Sequence, residues 1–203
     1  MPERRYGFGT RAIHAGHSPD TETHSRAVPI YQTSSYVFEN TRHAADLFGL
    51  RQFGNIYSRI MNPTNDALEQ RIAALEGGVG ALAVASGQAA ETLALLTLAR
   101  SGDHIVASTD LYGGTVSLLT HTFGRLGIGV TYVPPNDLEA WEKAVSGRTR
   151  AFFVETIGNP KLDILDIAAI AAIGRRHGIP LVVDNTVTTP FLNRPIEHGA
   201  AVV

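Results

Sequence analysis

Hydrophobic and polar positions alternate in a regular rhythm from Asn62 onward and hardly at all before it. Asn62 is a good helix N-cap and Pro63 suits a first helical position. Leu68, Ile72 and Leu75 then recur at helical spacing until Gly77-Gly78 stops the helix. The apolar run Ala81–Ala85 reads as a short strand, and Ser86-Gly87-Gln88 as the turn into a helix over Ala89–Arg100. Strands are expected at His104–Ser108, Gly129–Val133, Arg150–Glu155 and Leu181–Asp184. Helices near Gly114–Arg125, at Asp137–Val145 and at Ile167–His177 separate them. Ala200–Val203 reads as the start of a further strand. This alternation predicts an α/β fold with a mostly parallel sheet and helical crossovers on both faces. Residues 1–61 carry only a weak strand-like piece at Ile30–Phe38 and are expected to form an extended arm lying on another subunit. Residues 62–203 are expected to form the main domain.

Composition narrows the picture. The chain has 203 residues, 44% hydrophobic and 18% charged, enough to bury a sizeable core. A formal net charge of −2 argues against nucleic acid or an anionic membrane as partner. No apolar run is long enough to span a bilayer, and Met1–Gly7 lacks the apolar core of a signal peptide, so a cytoplasmic location is expected. The absence of cysteine removes disulfides, thiolate metal sites and a Cys nucleophile. The histidines form no tight ligand pair on one helix, so no metal site is expected. Only two of the 17 basic residues are lysines, Lys143 and Lys161.

The candidate chemistry sits where such a sheet binds ligands, outside the carboxyl ends of its strands. Asp184 closes an apolar strand run, where an acid can hold a pyridinium nitrogen protonated. Gly87 and Gln88 lie at a helix start, where bare backbone N–H groups make an anion site. Tyr112, followed by Gly113-Gly114, can stack on a planar heterocycle because the glycines allow close approach. Asn159, held extended before Pro160, can aim its amide into the crevice. Arg59 offers a bidentate fork for phosphate, and favours the phenolate of nearby Tyr57. Each of these residues also has an ordinary reading as a turn, a cap or a solvated side chain.

Taken in order, Tyr57-Ser58-Arg59 with Asn62-Pro63-Thr64, Ser86-Gly87-Gln88-Ala89-Ala90, Asp110-Leu111-Tyr112-Gly113-Gly114-Thr115, Glu155-Thr156 with Asn159-Pro160, and Val183-Asp184-Asn185-Thr186 through Thr189-Pro190 resemble the Cys/Met-metabolism family of pyridoxal 5'-phosphate (PLP) enzymes. The likeness runs from about Thr10 to the last residue. Phe53–Arg59 and Pro29-Ile30-Tyr31-Gln32-Thr33 are most similar to family members that make homocysteine from O-acetylhomoserine and sulfide. The resemblance implies a three-layer transferase domain of the aspartate-aminotransferase fold type. It also implies an amino-acid substrate with sulfide, a role in methionine biosynthesis, and a homo-oligomer with a dimer as active unit, assembled as a homotetramer. Cystathionine γ-synthase and γ-lyase share every motif quoted and are the alternatives. A non-catalytic phosphate-binding α/β domain is the reading for a natively short chain.

By the same resemblance, Gly87 and Gln88 would give backbone amides to the PLP phosphate, and Tyr112 would stack on the ring. Asp184, with Thr186 beside it, would pair with the ring nitrogen, and Asn159 would lie near the ring hydroxyl. Tyr57 and Arg59 would reach the phosphate of a neighbouring subunit. Tyr57, Tyr112 and Asp184 are the candidate catalytic residues. Neither lysine fits the family's Schiff-base position. The chain therefore reads as the front part of a longer enzyme, inactive alone.

Overall fold

A computed structural model describes residues 6–203. Residues 1–5, with the start of the expected arm and most of the segment weighed as a signal peptide, lie outside the described residues. The chain divides into two compact units, one ending at Ala83 and the other running from Val84 to Val203.

The first unit contains helices α1 (Phe8–His14), α2 (Thr41–Phe48) and α3 (Pro63–Glu76). The caps of α3 are those the sequence predicts. Asn62 accepts a hydrogen bond from the Thr64 N–H, and Gly77 takes a left-handed conformation at φ 82°. Its buried face is different: Ala67, Ala73 and Leu75 are buried, while Leu68 and Ile72 are 53% and 41% exposed. Helix α1 lies along α3, joined by Arg11 Nη1 donating to the Ala74 carbonyl at 2.5 Å and Arg71 Nε to the Ala15 carbonyl at 2.8 Å. A Cβ at Gly16 would fall 2.6 Å from the Ala67 carbonyl oxygen, so this close approach requires glycine. The stretch 30–38 forms no strand. It is held by one antiparallel bridge, Ser35 to Tyr57, and by side chains: the Tyr31 N–H donates to Thr64 Oγ1, and Asn62 Nδ2 to the Tyr31 carbonyl, both at 2.9 Å.

The second unit is three-layered. Its strands β1 (His104–Ser108), β2 (Gly129–Val133), β3 (Thr149–Glu155) and β4 (Leu181–Asp184) form a parallel sheet in the order β2-β1-β3-β4. Alternation along the strands feeds two cores. Ile105, Ala107, Ala151, Phe153 and Val182 face helix α4 (Gly87–Leu98), helix α5 (Gly113–Ser117) and a π-helical turn (Leu118–Phe123), against Leu95, Leu119 and Phe123. Val106, Phe152, Val154, Leu181 and Val183 pack on the other face with Trp141 of helix α6 (Leu138–Ala144) and Ile167, Ile170 and Ile173 of helix α7 (Ile167–His177). Helix α7 can lie close because Gly174 has no Cβ, which would sit 2.4 Å from the Ile179 carbonyl oxygen. A short helix α8 (Thr189–Leu192) follows β4.

Two further expectations, at residues 81–85 and at the last residues, are corrected, and a third, the helix after β1, holds with a change of winding. Residues 81–85 join no ladder, because no strand among the described residues runs beside them. The helix predicted near Gly114–Arg125 starts at Gly113 and becomes π-helical after Ser117. Near the last residues the chain makes one parallel bridge, Val202 to Val182, and no named strand.

Candidate active site

The carboxyl ends of β1, β3 and β4 lie side by side, at the point where the chain order of the strands reverses, which is where such sheets form a ligand crevice. Helix α4 brings its N-terminus into the same unit. Ser86 caps it, its Oγ accepting from the Ala89 N–H at 3.1 Å. Among the described residues the N–H groups of Gly87 and Gln88 find no acceptor. A Cβ on Gly87 would meet nothing within 4 Å, so the space beside this residue is open. Two unpaired N–H groups at the positive end of a helix are an anion cradle. The side chain of Gln88 turns inward: Nε2 donates to Glu91 Oε2 at 2.9 Å and to Thr115 Oγ1 at 3.2 Å.

Tyr112 stands between β1 and α5 with half of its surface exposed. Its ring leans over Gly114, where a Cβ would fall 2.4 Å from Cε1, so Gly114 makes room for the ring. Its backbone N–H donates to Glu155 Oε1 at 2.5 Å. Asp184 ends β4. Its Oδ1 accepts from the Thr186 N–H at 2.9 Å and from Thr186 Oγ1 at 2.5 Å, and among the described residues no donor reaches Oδ2. Asn159 lies exposed on the loop after β3. That loop packs against the one after β1, where a Cβ on Gly158 would meet Asp110 Cβ at 2.9 Å.

Two further carboxylates lie beside these residues, Glu91, which falls in no motif, and Glu155, which opens the Glu155-Thr156 motif without an assigned role. Glu91 of α4 accepts from the Thr115 hydroxyl and from Gln88, and burial raises its pKa above the usual carboxylate value, with the charge of Asp184 adding to the effect. Glu155, 5% exposed, has its pKa raised to about 7, first by burial and further by the charges of Asp184 and Glu91, against the lowering effect of the Tyr112 N–H. Glu155 ends an apolar strand run just as Asp184 does, and that pattern was the signal available for finding it.

The second unit thus brings Gly87, Gln88, Tyr112, Asn159, Asp184 and Thr186 to one end of one sheet. Tyr57 and Arg59 belong to the first unit, where the Arg59 guanidinium carbon lies 5.8 Å from the centre of the Tyr57 ring. Lys161 Nζ is engaged by Asp110 Oδ1 at 2.8 Å, a pairing that lowers the pKa of Asp110 and raises that of Lys161. This pair borders an open cavity of about 730 Å³ with Thr109, Pro134, Asn136 and Asp163, beside the crevice and without Tyr112 or Asp184. Lys143 pairs with Glu139 at 2.6 Å on the surface of α6. Among the described residues no group of His, Cys, Asp and Glu is placed to hold a metal, and no helix is long and apolar enough to cross a membrane.

A parallel α/β sheet with an anion cradle, an exposed aromatic and a strand-end carboxylate has the donor and acceptor set that a phosphorylated, ring-nitrogen cofactor would need. The chain belongs to the Cys/Met metabolism PLP-dependent enzyme family, whose sequence profile matches residues 9–203. It is 59% identical over 203 residues to an O-acetyl-L-homoserine sulfhydrylase of Leptospira meyeri, covering 100% of this chain and 46% of that relative. It is 53% identical over 200 residues to the O-acetyl-L-homoserine sulfhydrylase of Corynebacterium glutamicum, covering 98% and 46%. A solved structure assigned as an O-acetylhomoserine (thiol)-lyase of Campylobacter jejuni superposes with a TM-score of 0.93 at 44% identity, over 97% of this chain and 48% of that one. That protein carries a pyridoxyl-lysine phosphate. The chain spans about half the length of the curated relatives it matches.

The donor set fits PLP: paired N–H groups beside open space suit its phosphate, and the free Oδ2 of Asp184 suits a protonated ring nitrogen.

Proposed function

We propose that the protein containing this chain carries out PLP-dependent sulfhydrylation of O-acetylhomoserine, giving homocysteine and acetate. The observation that carries this reading is 59% identity along the whole chain to an O-acetyl-L-homoserine sulfhydrylase, with every site motif present. PLP, when bound, supplies an electron sink for charge that develops on the substrate carbons.

The chain's own residues would hold and tune that group. The Gly87 and Gln88 N–H groups would take the phosphate, aided by the end of α4. Asp184, fixed through Oδ1 by Thr186, would hold the ring nitrogen protonated through Oδ2. Tyr112 would cover one ring face, and Asn159 would meet the ring hydroxyl. Tyr57 and Arg59, on an N-terminal arm of residues 1–61, would complete the site of a neighbouring subunit in a dimer or tetramer. Neither lysine is suited to the Schiff base, since Lys161 is held by Asp110 and Lys143 by Glu139 on the surface of α6. The 203-residue stretch by itself is therefore proposed to be inactive, and the working protein to be cytoplasmic.

The test is product formation by the full-length protein with O-acetylhomoserine and either sulfide or cysteine. Homocysteine and acetate should form, with sulfide the better acceptor. Faster formation or cleavage of cystathionine would replace this reading with the corresponding cystathionine enzyme.

A further inference from the structure

The Tyr112 ring has little to hold it. It is half-exposed, it opens a five-residue helix without a side-chain cap, and it leans over Gly114, where a Cβ would fall 2.4 Å from Cε1. Its height over the crevice is therefore set by its backbone. The backbone N–H of Tyr112 has one acceptor, Glu155 Oε1 at 2.5 Å.

Glu155 is itself rigidly placed. It ends β3, is 5% exposed, and is the register partner of Asp184 across the β3–β4 ladder. Strand alternation puts both carboxylates on the sheet face that carries Phe153 and Val182, the face covered by α4 and α5. The first turn of α5 is pinned from the other side, where the Thr115 hydroxyl donates to Glu91 of α4.

We propose that Glu155 is a positioning residue, whose side-chain oxygen fixes the Tyr112 backbone and so sets the ring that covers the cofactor. The role needs an acceptor oxygen at the reach of a glutamyl side chain. A glutamine offers the same oxygen at the same reach, and an aspartate retains the carboxylate but falls one methylene short. The inference rests on the PLP reading of the site.

The experiment uses full-length protein stripped of PLP, with Glu155→Gln, Glu155→Asp and Glu155→Ala. PLP affinity and the circular dichroism of bound PLP are measured. Glu155→Gln should bind within about twofold of wild type with the same dichroism. Glu155→Asp and Glu155→Ala should bind roughly tenfold more weakly, with altered dichroism, as expected for loss of one strong hydrogen bond. If Glu155→Ala does not fold, the aspartate and glutamine variants decide. Wild-type dichroism in Glu155→Asp overturns the proposal, even with a lowered melting temperature, because it leaves Glu155 a purely structural role. A glutamine variant as impaired as the aspartate one also overturns it, because charge rather than the acceptor oxygen would then matter. Failure of wild type to bind PLP would overturn the proposed function instead.

Discussion

Glu155 sits in surroundings that oppose each other. Burial and the charges of Asp184 and Glu91 favour its protonated form, while the Tyr112 N–H favours its carboxylate. Burial wins, and the folded-state pKa rises to about 7 from an ordinary value of 4.5. The sign for stability follows from proton linkage. Below the unfolded value both states hold the proton, and the folded state keeps its full advantage. As pH rises toward about 7, the unfolded chain releases the proton while the folded one retains it, so stability falls. The melting temperature of Glu155→Gln apoprotein should thus gain on wild type as pH rises through this range, and the difference should level off above it. A difference independent of pH would show that Glu155 titrates normally. The contrast between Asp184 and Glu155 also shows where residue-level reading succeeds. Both end apolar strand runs, but only Asp184 was singled out, because the partner of Glu155 is a backbone N–H more than forty residues away in sequence. Gln88 was read for its backbone alone, and its inward side chain became visible only with Glu91 and Thr115 in place.

At the scale of elements, the start of α4 couples folding to binding. Ser86 satisfies one of the first-turn N–H groups and leaves those of Gly87 and Gln88 for a ligand. Ser86→Ala should destabilise the apoprotein by about 1 kcal/mol in denaturant unfolding. Ser86→Asp should restore the cap and hence the stability, yet weaken PLP binding by placing a negative charge beside the phosphate cradle. Equal PLP affinity in wild type and Ser86→Asp would argue against phosphate at this helix end. The same elements show what was legible beforehand. Strands β1, β2 and β4 and helix α7 match the expected spans because apolar runs there are closed by Gly, Pro or a polar cap. Helix α3 was found from its caps, but its spacing pointed to Leu68 and Ile72 where the buried positions are Ala67 and Ala73. Helices α1 and α2 were missed because each spans about two turns and buries little, α1 nothing and α2 only Leu47. Residues 81–85 have a strand's composition, but composition cannot supply a pairing neighbour.

At the scale of the whole molecule, the first unit exposes side chains that a solitary chain has little reason to expose. Val37 is 97% exposed, Phe53 91% and Leu50 84%, and Tyr57 and Arg59 lie close to them in sequence. Large apolar side chains exposed this far would suit a surface that another chain covers. A neighbouring subunit would cover it, and would place Tyr57 and Arg59 at that subunit's cofactor phosphate. Complementation separates this arrangement from a site built within one chain. In the full-length protein, Arg59→Ala and Asp184→Ala should each abolish nearly all activity. Chains of the two kinds, co-expressed with different tags and purified through both, would form mixed dimers. If the site is shared, one of its two copies in each mixed dimer has an intact Asp184 from one chain and an intact Arg59 from the other. The second copy carries both lesions. The doubly purified mixed dimers should then recover about half of wild-type activity, since one of the two sites in each is intact, whereas an unselected random mixture would recover about a quarter. If tagged pull-down confirms mixed dimers and no activity returns, Arg59 serves its own subunit and the arm's exposed residues need another partner.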